Sequence, residues 1–142
     1  MESRKVSQLH DYTVALKVKV PTNFDVWATS NAIQIRYVTE RTTSADNKMD
    51  VTIYNTSEAN NDTQVYRVAD KVSAVAATWT TLTIDDSDLD DGTGTEWDAA
   101  DETAIIFVKM YSRLDATNCT AGVNNGCYVR VGDVTLNYLA KY

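Results

Sequence analysis

Apolar and polar residues alternate with a period of two along most of the chain, whereas the spacing of an amphipathic helix is nearly absent. In the first such segment, apolar residues occupy every even position from Tyr12 to Val20, and Pro21, the only proline, follows. A period of two is expected of strands that bury one face. The pattern predicts strands over 12–20, 33–37, 49–54, 64–68, 79–84, 103–110, 128–131 and 134–138.

Several segments add detail to this all-β prediction. Residues 103–110 form a nearly continuous apolar run, which is typical of a central strand covered on both faces. Gly132-Asp133 separates the last two strand segments and is either a tight turn or a bulge within one long strand. Helix is predicted only at 69–77 and as one turn near 87–90. The whole pattern favours an antiparallel sandwich or barrel of about eight strands.

The length and composition indicate one globular domain. The chain has 142 residues, of which 44% are hydrophobic and 23% charged, values that are ordinary for a folded domain. Residues 1–10 mix charges of both signs and lack the apolar run of a secretory signal. We therefore expect a flexible N-terminal arm over 1–10 and a β-sandwich domain over 11–142. No segment is long and apolar enough to span a bilayer.

The charge distribution argues against nucleic acid as a partner. Twenty acidic residues outnumber 13 basic ones and give a formal net charge of -7, whereas nucleic-acid binding requires clustered Lys and Arg. The excess of acid lies in one segment without a basic residue, which carries nine carboxylates: Asp85, Asp86, Asp88, Asp90, Asp91, Glu96, Asp98, Asp101 and Glu102.

This acidic segment has two interpretations. Asp86, Asp88 and Asp90 have the one-three-five spacing with which a loop directs carboxylates at one hard cation, which predicts a calcium site. The EF-hand pattern itself is not met, because Asp91 stands where that loop has glycine and Trp97 where it has glutamate. The alternative is a solvated loop between two strands, in which the carboxylates stay in water.

The two cysteines, Cys119 and Cys127, bracket a segment that contains the strong turn signal Asn125-Gly126. Their spacing allows a structural disulfide across a loop tip, and free thiols are the alternative. Zinc is not expected, because two ligands do not complete a tetrahedral site. A disulfide would favour a working life outside the cytosol.

The sequence predicts no enzyme. His10 is the only histidine, it lies in the expected arm, and no nucleophile or phosphate-binding motif is present. Aromatic residues offer a different chemistry, because sugar rings stack on aromatic faces. Trp27, Trp79 and Trp97 could form such a ligand-facing platform, with Trp27 and Trp97 as the main candidates, and packing in the core is the alternative role for all three.

The order of several short motifs resembles the small jelly-roll sandwich domains of tailed-phage virion proteins, such as capsid decoration proteins, head fibres and tail appendages. The likeness spans most of the chain and rests on Val20-Pro21, Asn23-Phe24-Asp25, Trp27, and the apolar segments 33–37, 51–54, 79–84, 105–110 and 131–138. The Cys119–Cys127 loop and the dense acidic segment depart from it. The same architecture is shared by carbohydrate-binding modules.

The resemblance implies an antiparallel jelly-roll β-sandwich and a non-enzymatic virion subunit that oligomerises, as a trimer in the simplest case, or attaches to capsid or appendage proteins. Such a protein is made in the host cytoplasm and resides in the virion. The first alternative is a carbohydrate-binding module with a structural calcium, which binds glycans. The second is an extracellular filament or surface-layer subunit. No membrane partner is expected.

Overall fold

The structure is a computed structural model that describes residues 9–57, 63–89, 96–113 and 127–142. Within these ranges it contains nine strands and one short helix. The elements are β1 (Leu9–Lys19), β2 (Phe24–Trp27), β3 (Ile33–Thr39), β4 (Asn47–Asn55), β5 (Thr63–Lys71), β6 (Thr80–Ile84), α1 (Asp86–Leu89), β7 (Thr103–Arg113), β8 (Val129–Leu136) and β9 (Tyr138–Ala140).

The strands form antiparallel sheets in a sandwich-like arrangement, which confirms the predicted all-β class. A four-stranded sheet has the order β1-β7-β4-β5, a three-stranded sheet has the order β6-β3-β8, and β2 pairs with β9. The chain passes repeatedly from one sheet to the other, so that neighbours in a sheet are distant in sequence except for β4 and β5, which are consecutive strands. We call β1-β7-β4-β5 the four-stranded sheet below.

The core lies between the sheets and follows the predicted alternation. In β4 every second residue is buried, and Val51 and Ile53 lie opposite Val108 and Ile106 of β7. The strand β7 is central, as the sequence predicted, because it lies between β1 and β4. Its outward residues are only half-buried, however, so the expected cover on both faces is wrong. That outer face is therefore open to other molecules.

The structure decides between the two interpretations of Gly132-Asp133. The strand β8 runs through both residues, and the pairing with β3 shifts register between Ile35 and Tyr37, which is a bulge. A Cβ atom on Gly132 would lie 3.1 Å from the Trp79 ring. Glycine at this position thus allows the indole to pack closely on the bulged strand.

Two local predictions are wrong and one is confirmed. Residues 69–77 are not helical, because β5 continues to Lys71 and the segment after it bonds to β3. The strand β2 was not predicted from the sequence. Its first and last residues, Phe24 and Trp27, are buried and the two between them are exposed, so burial does not alternate along it. The expected helical turn near 87–90 is present as α1. The expected arm falls mostly outside the described residues, and β1 begins at Leu9.

Candidate functional site

Of the three tryptophans proposed as a sugar platform, Trp27 and Trp97 lie in the core, whereas Trp79 is 43% exposed and lies beside Arg36, away from both. Trp27 is 2% exposed and Trp97 is fully buried; their ring centroids are 4.9 Å apart. The indole Nε1 of Trp27 donates a hydrogen bond to the Trp97 carbonyl oxygen. Neither ring presents a face at the surface, so the alternative of core packing describes both residues.

Two acidic side chains near α1, those of Asp85 and Asp88, accept hydrogen bonds from backbone amides. The Asp85 amide donates to a carboxylate oxygen of Asp88 at 2.9 Å, and the Asn31 amide donates to Asp85 at 2.8 Å. Asp90, the third residue of the predicted calcium site, lies outside the described residues. Among the residues the structure describes, no three His, Cys, Asp or Glu side chains converge to hold a metal ion. Calcium binding at Asp86, Asp88 and Asp90 stays a prediction.

The predicted disulfide also falls partly outside the described part of the chain. Cys127 is buried next to the start of β8, and its amide donates to the Arg113 carbonyl oxygen at 3.1 Å. Cys119 is not among the described residues. The pairing of the two cysteines therefore stays a prediction.

The strand β1 forms one edge of the four-stranded sheet, and no described strand pairs with its free side. Val14 lies opposite the buried Val108, so the even-numbered residues of β1 belong to the inner face. Leu16 and Val18 pack against the core, whereas Tyr12 and Val14 are 68% and 43% exposed. The opposing layer thus leaves this half of β1 uncovered.

The uncovered half of β1 is also uncharged. Thr13 and Ala15, which belong to the outer face, are exposed as well, so residues 12–15 form an exposed run without charge. Asp11 precedes this run, and its carboxylate forms an ion pair with Lys109 at 2.8 Å. Exposed edges without charge are rare in soluble sheets, because they invite pairing with another strand.

The outer face of the four-stranded sheet forms a groove of about 490 Å³. This volume falls within the range of about 300 to 1,000 Å³ for small-molecule sites. Its lining residues all carry aromatic, polar or charged groups: Thr13, Asp50, Thr52, Tyr54, Gln64, Arg67, Phe107, Lys109 and Tyr111. We call this surface the sheet groove.

Charged side chains at one end of the sheet groove are mutually paired. Lys48 bonds to Asp70 at 2.5 Å, and both Lys48 and Lys109 lie within about 5 Å of the Tyr111 ring. The hydrogen bond to Asp70 raises the pKa of Lys48, and the hydrogen bond from Lys109 to Asp11 raises the pKa of Lys109. These cations are engaged within the protein.

The middle of the sheet groove is different, because its polar groups are unengaged. The side chains of Thr52, Gln64 and Arg67 make no hydrogen bond or ion pair with any described residue. Beside them the Tyr54 and Phe107 rings meet edge to face, with centroids 5.8 Å apart at 82°. Ring faces and free donors therefore line one surface.

Sequence analysis missed the sheet groove, although part of the signal was present. Thr52, Tyr54 and Phe107 occupy outward positions of their strands, where the alternation can be read directly. Their juxtaposition depends on β7 lying between β1 and β4, which the sequence does not show.

Comparisons with known proteins identify no family. No family model matches the chain, and no curated protein shows significant similarity. One similar solved structure is titled "Structure of infectious bursal disease virus Gx strain", with 14% sequence identity and a TM-score of 0.31. The match covers 89% of this chain and 29% of that chain, and the two share too little structure for a role to be carried over. No described helix is long and apolar enough to cross a membrane.

Proposed function

We propose that this chain is a non-enzymatic structural subunit of a virion, of the decoration, fibre or appendage type, that acts by self-association and surface attachment. The resemblance of its motifs to tailed-phage sandwich domains favours this role. The observation that carries it is the uncharged, exposed run 12–15 at the free edge of β1, because an exposed edge without charge invites pairing with another strand. On this proposal the chain is made in a host cytoplasm and resides in the virion.

The geometry of β1 favours a second copy of the same strand as its cover. The strand runs from Leu9 to Lys19, so its midpoint is Val14. An antiparallel pair centred there joins all eleven positions and keeps every side chain on its own face. It places Tyr12 opposite Leu16, which are both apolar, and Asp11 opposite Lys17, which carry opposite charges.

This contact closes around a two-fold axis, since identical antiparallel strands are related by a two-fold rotation. The β1 edge therefore favours a dimer in place of the trimer that the sequence first indicated. Two four-stranded sheets would become one eight-stranded sheet, with the apolar residues of both edges covered.

Light scattering after size exclusion, over a range of protein concentrations, tests the contact. We expect the mass of a dimer for the natural chain and of a monomer for Val14→Lys, which places two ammonium groups opposite each other on the axis. Val26→Lys is the matched control, because Val26 is a similarly exposed valine on β2, and it should stay dimeric. A natural chain that is monomeric at every concentration would contradict the proposal.

A cysteine variant tests the register independently. Residues opposite each other in an antiparallel pair have Cα atoms about 4.5 to 5.5 Å apart, within disulfide range. Val14→Cys should therefore give a covalent dimer on a non-reducing gel after mild oxidation, whereas Val26→Cys should not. Equal cross-linking of both variants would show random collision.

The virion subunit, the extracellular filament or surface layer, and the carbohydrate-binding module differ in where the protein is found and in what it binds. An antibody to the chain is expected to label virus-sized particles from its source. Labelling confined to cell surfaces would favour an extracellular filament or surface layer instead. The calcium-dependent carbohydrate-binding module predicts that a chelator abolishes glycan binding and lowers the melting temperature.

A further inference from the structure

We propose that the sheet groove binds an oligosaccharide that carries a carboxylate, with Arg67 as the anion contact and Phe107 and Tyr54 as the ring contacts. This site is separate from the β1 edge, and it is independent of the proposed virion role. It also differs from the tryptophan platform that the sequence indicated, since no tryptophan lines the groove.

The polar side chains in the middle of the groove point to a ligand with many hydroxyl groups. Thr52 offers a hydroxyl, Gln64 an amide, and Arg67 a fork of five N–H donors. None of the three is engaged by a described residue, so each can exchange water for a ligand without breaking an internal bond. Sugars present the matching donors and acceptors around an apolar ring.

The aromatic rings supply the second half of the recognition. Tyr54 and Phe107 are half-buried and set nearly perpendicular by their edge-to-face contact. Rings held in this way lose little conformational freedom when a ligand packs on them. Their electron-rich faces attract the polarised C–H groups of a sugar ring, as they attract other positively polarised groups.

The carboxylate is indicated by charge. Lys48 and Lys109, the other cations beside the groove, already pair with Asp70 and Asp11, whereas Arg67 has no acidic partner among the described residues. Asp50, the carboxylate among the lining residues, accepts a hydrogen bond from the Asp70 amide at 2.8 Å. A guanidinium binds a carboxylate through two parallel hydrogen bonds. Since the whole chain carries a net charge of -7, general attraction of polyanions is disfavoured, and only a local contact would hold one.

Affinity electrophoresis in native gels tests the site with named polymers. Alginate and hyaluronan present uronates, polysialic acid presents sialates, dextran is a neutral polysaccharide, and poly-L-glutamate is a carboxylated polymer without sugar. We expect retardation by alginate, hyaluronan or polysialic acid, and the pattern among these three identifies the source of the carboxylated sugar. We expect none by dextran or poly-L-glutamate.

Variants then assign the binding to the groove. Arg67→Gln should weaken retardation at least about tenfold, since it removes a charge-assisted contact from an exposed position. Thr52→Val should weaken it several-fold while keeping the shape of the side chain. Arg36→Gln is the matched control, because Arg36 also lies beside an aromatic ring, 5.1 Å from the centroid of Trp79, but on the three-stranded sheet.

Two kinds of result would contradict binding at the sheet groove. Retardation by no carboxylated polysaccharide, or equal retardation by dextran or poly-L-glutamate, would overturn the proposal. Equal loss in Arg36→Gln and Arg67→Gln would place binding elsewhere and would overturn it as well. Thermal melting of each variant verifies that the fold is intact. None of these results bears on the dimer, whose own test uses the mass in solution.

Discussion

At the scale of single residues, the two buried tryptophans differ in how their indole N–H groups are satisfied. Trp27 donates to the Trp97 carbonyl oxygen, whereas Nε1 of Trp97 has no acceptor in the described part of the chain. A buried donor without a partner loses its bond to water and gains nothing in exchange. The polar atom of Trp27 therefore stabilises the fold, and that of Trp97 does not.

Replacement of each indole by phenylalanine makes this difference measurable. Both substitutions remove similar volume from the core, but only Trp27→Phe also leaves the Trp97 carbonyl oxygen unpaired. We expect Trp27→Phe to lower the free energy of unfolding by about 1 kcal/mol more than Trp97→Phe does, as measured by urea denaturation. Trp79→Phe, at a 43% exposed position, is the surface control. A larger loss for Trp97→Phe would contradict the assignment.

At the scale of elements, the segment after β5 is fixed by side-chain bonds to β3. The Thr39 amide donates to the Ser73 hydroxyl at 2.9 Å, and the Ser73 amide donates to the Thr39 hydroxyl at 2.8 Å. Both residues are fully buried. The Ala77 amide also reaches the Thr39 carbonyl oxygen at 2.9 Å. The chain is held against β3 in this way after β5 ends.

Ser73→Ala is expected to destabilise the fold by about 1 to 3 kcal/mol, because it leaves the buried Thr39 amide without an acceptor. Urea denaturation monitored by circular dichroism measures this loss. Thr78→Ala removes an exposed hydroxyl whose one bond to a described residue is to the nearby Ala76 carbonyl oxygen, and we expect it to cost less than about 0.5 kcal/mol. Similar losses of stability for both variants would show that the buried hydrogen bonds between Ser73 and Thr39 stabilise the fold no more than an exposed hydroxyl does.

The same segment shows why sequence patterns predicted some elements and not others. In β4 and β7, burial depends on alternation alone, and both strands were predicted from the sequence. The alanine-rich run 69–77 favours helix by intrinsic propensity, but the bonds from Ser73 to β3 are tertiary and have no local signal. The strand β2 has four residues without alternation, so nothing in Phe24–Trp27 marks it as a strand.

The two candidate surfaces, the β1 edge and the sheet groove, also depend on tertiary structure that has no local signal in the sequence. Exposure of Val14 and Tyr12 could not be predicted, since their positions continue the buried pattern of Leu16 and Val18. It arises because the opposing layer does not cover that end of β1. The role of Arg67 could not be predicted from the sequence either. An arginine at an outward strand position is common, and its neighbours in the groove are known only from the structure.

At the scale of the whole molecule, stability is expected to fall in alkaline solution. Burial raises the pKa of Tyr37, and burial followed by Asp88 and Asp85 raises the pKa of Tyr66, from the ordinary value of 10.0. The folded state thus holds these protons more tightly than the unfolded state does. Their stabilising contribution is complete below pH 10 and is lost as the pH rises through the folded pKa values.

These two tyrosines should therefore not change the urea midpoint of the natural chain below about pH 9.5, and they should lower it above pH 10. The double variant Tyr37→Phe and Tyr66→Phe should fall less steeply over the same interval. It starts from a lower stability, because it loses the bond of 3.1 Å from the Tyr37 hydroxyl to the Val72 carbonyl oxygen. Parallel curves for the two proteins would exclude the tyrosines as the cause.

The position of β1 beside β7 also fixes an order of events during synthesis. Leu9 pairs with Arg113 and Lys19 with Thr103, so β1 leaves the ribosome long before its partner strand exists. The β4 and β5 hairpin can form early, because its strands are close in sequence. Until β7 arrives, both edges of β1 are open, and nascent chains on one messenger present them side by side. The strand proposed to join mature subunits is thus also where growing chains are most exposed to premature pairing.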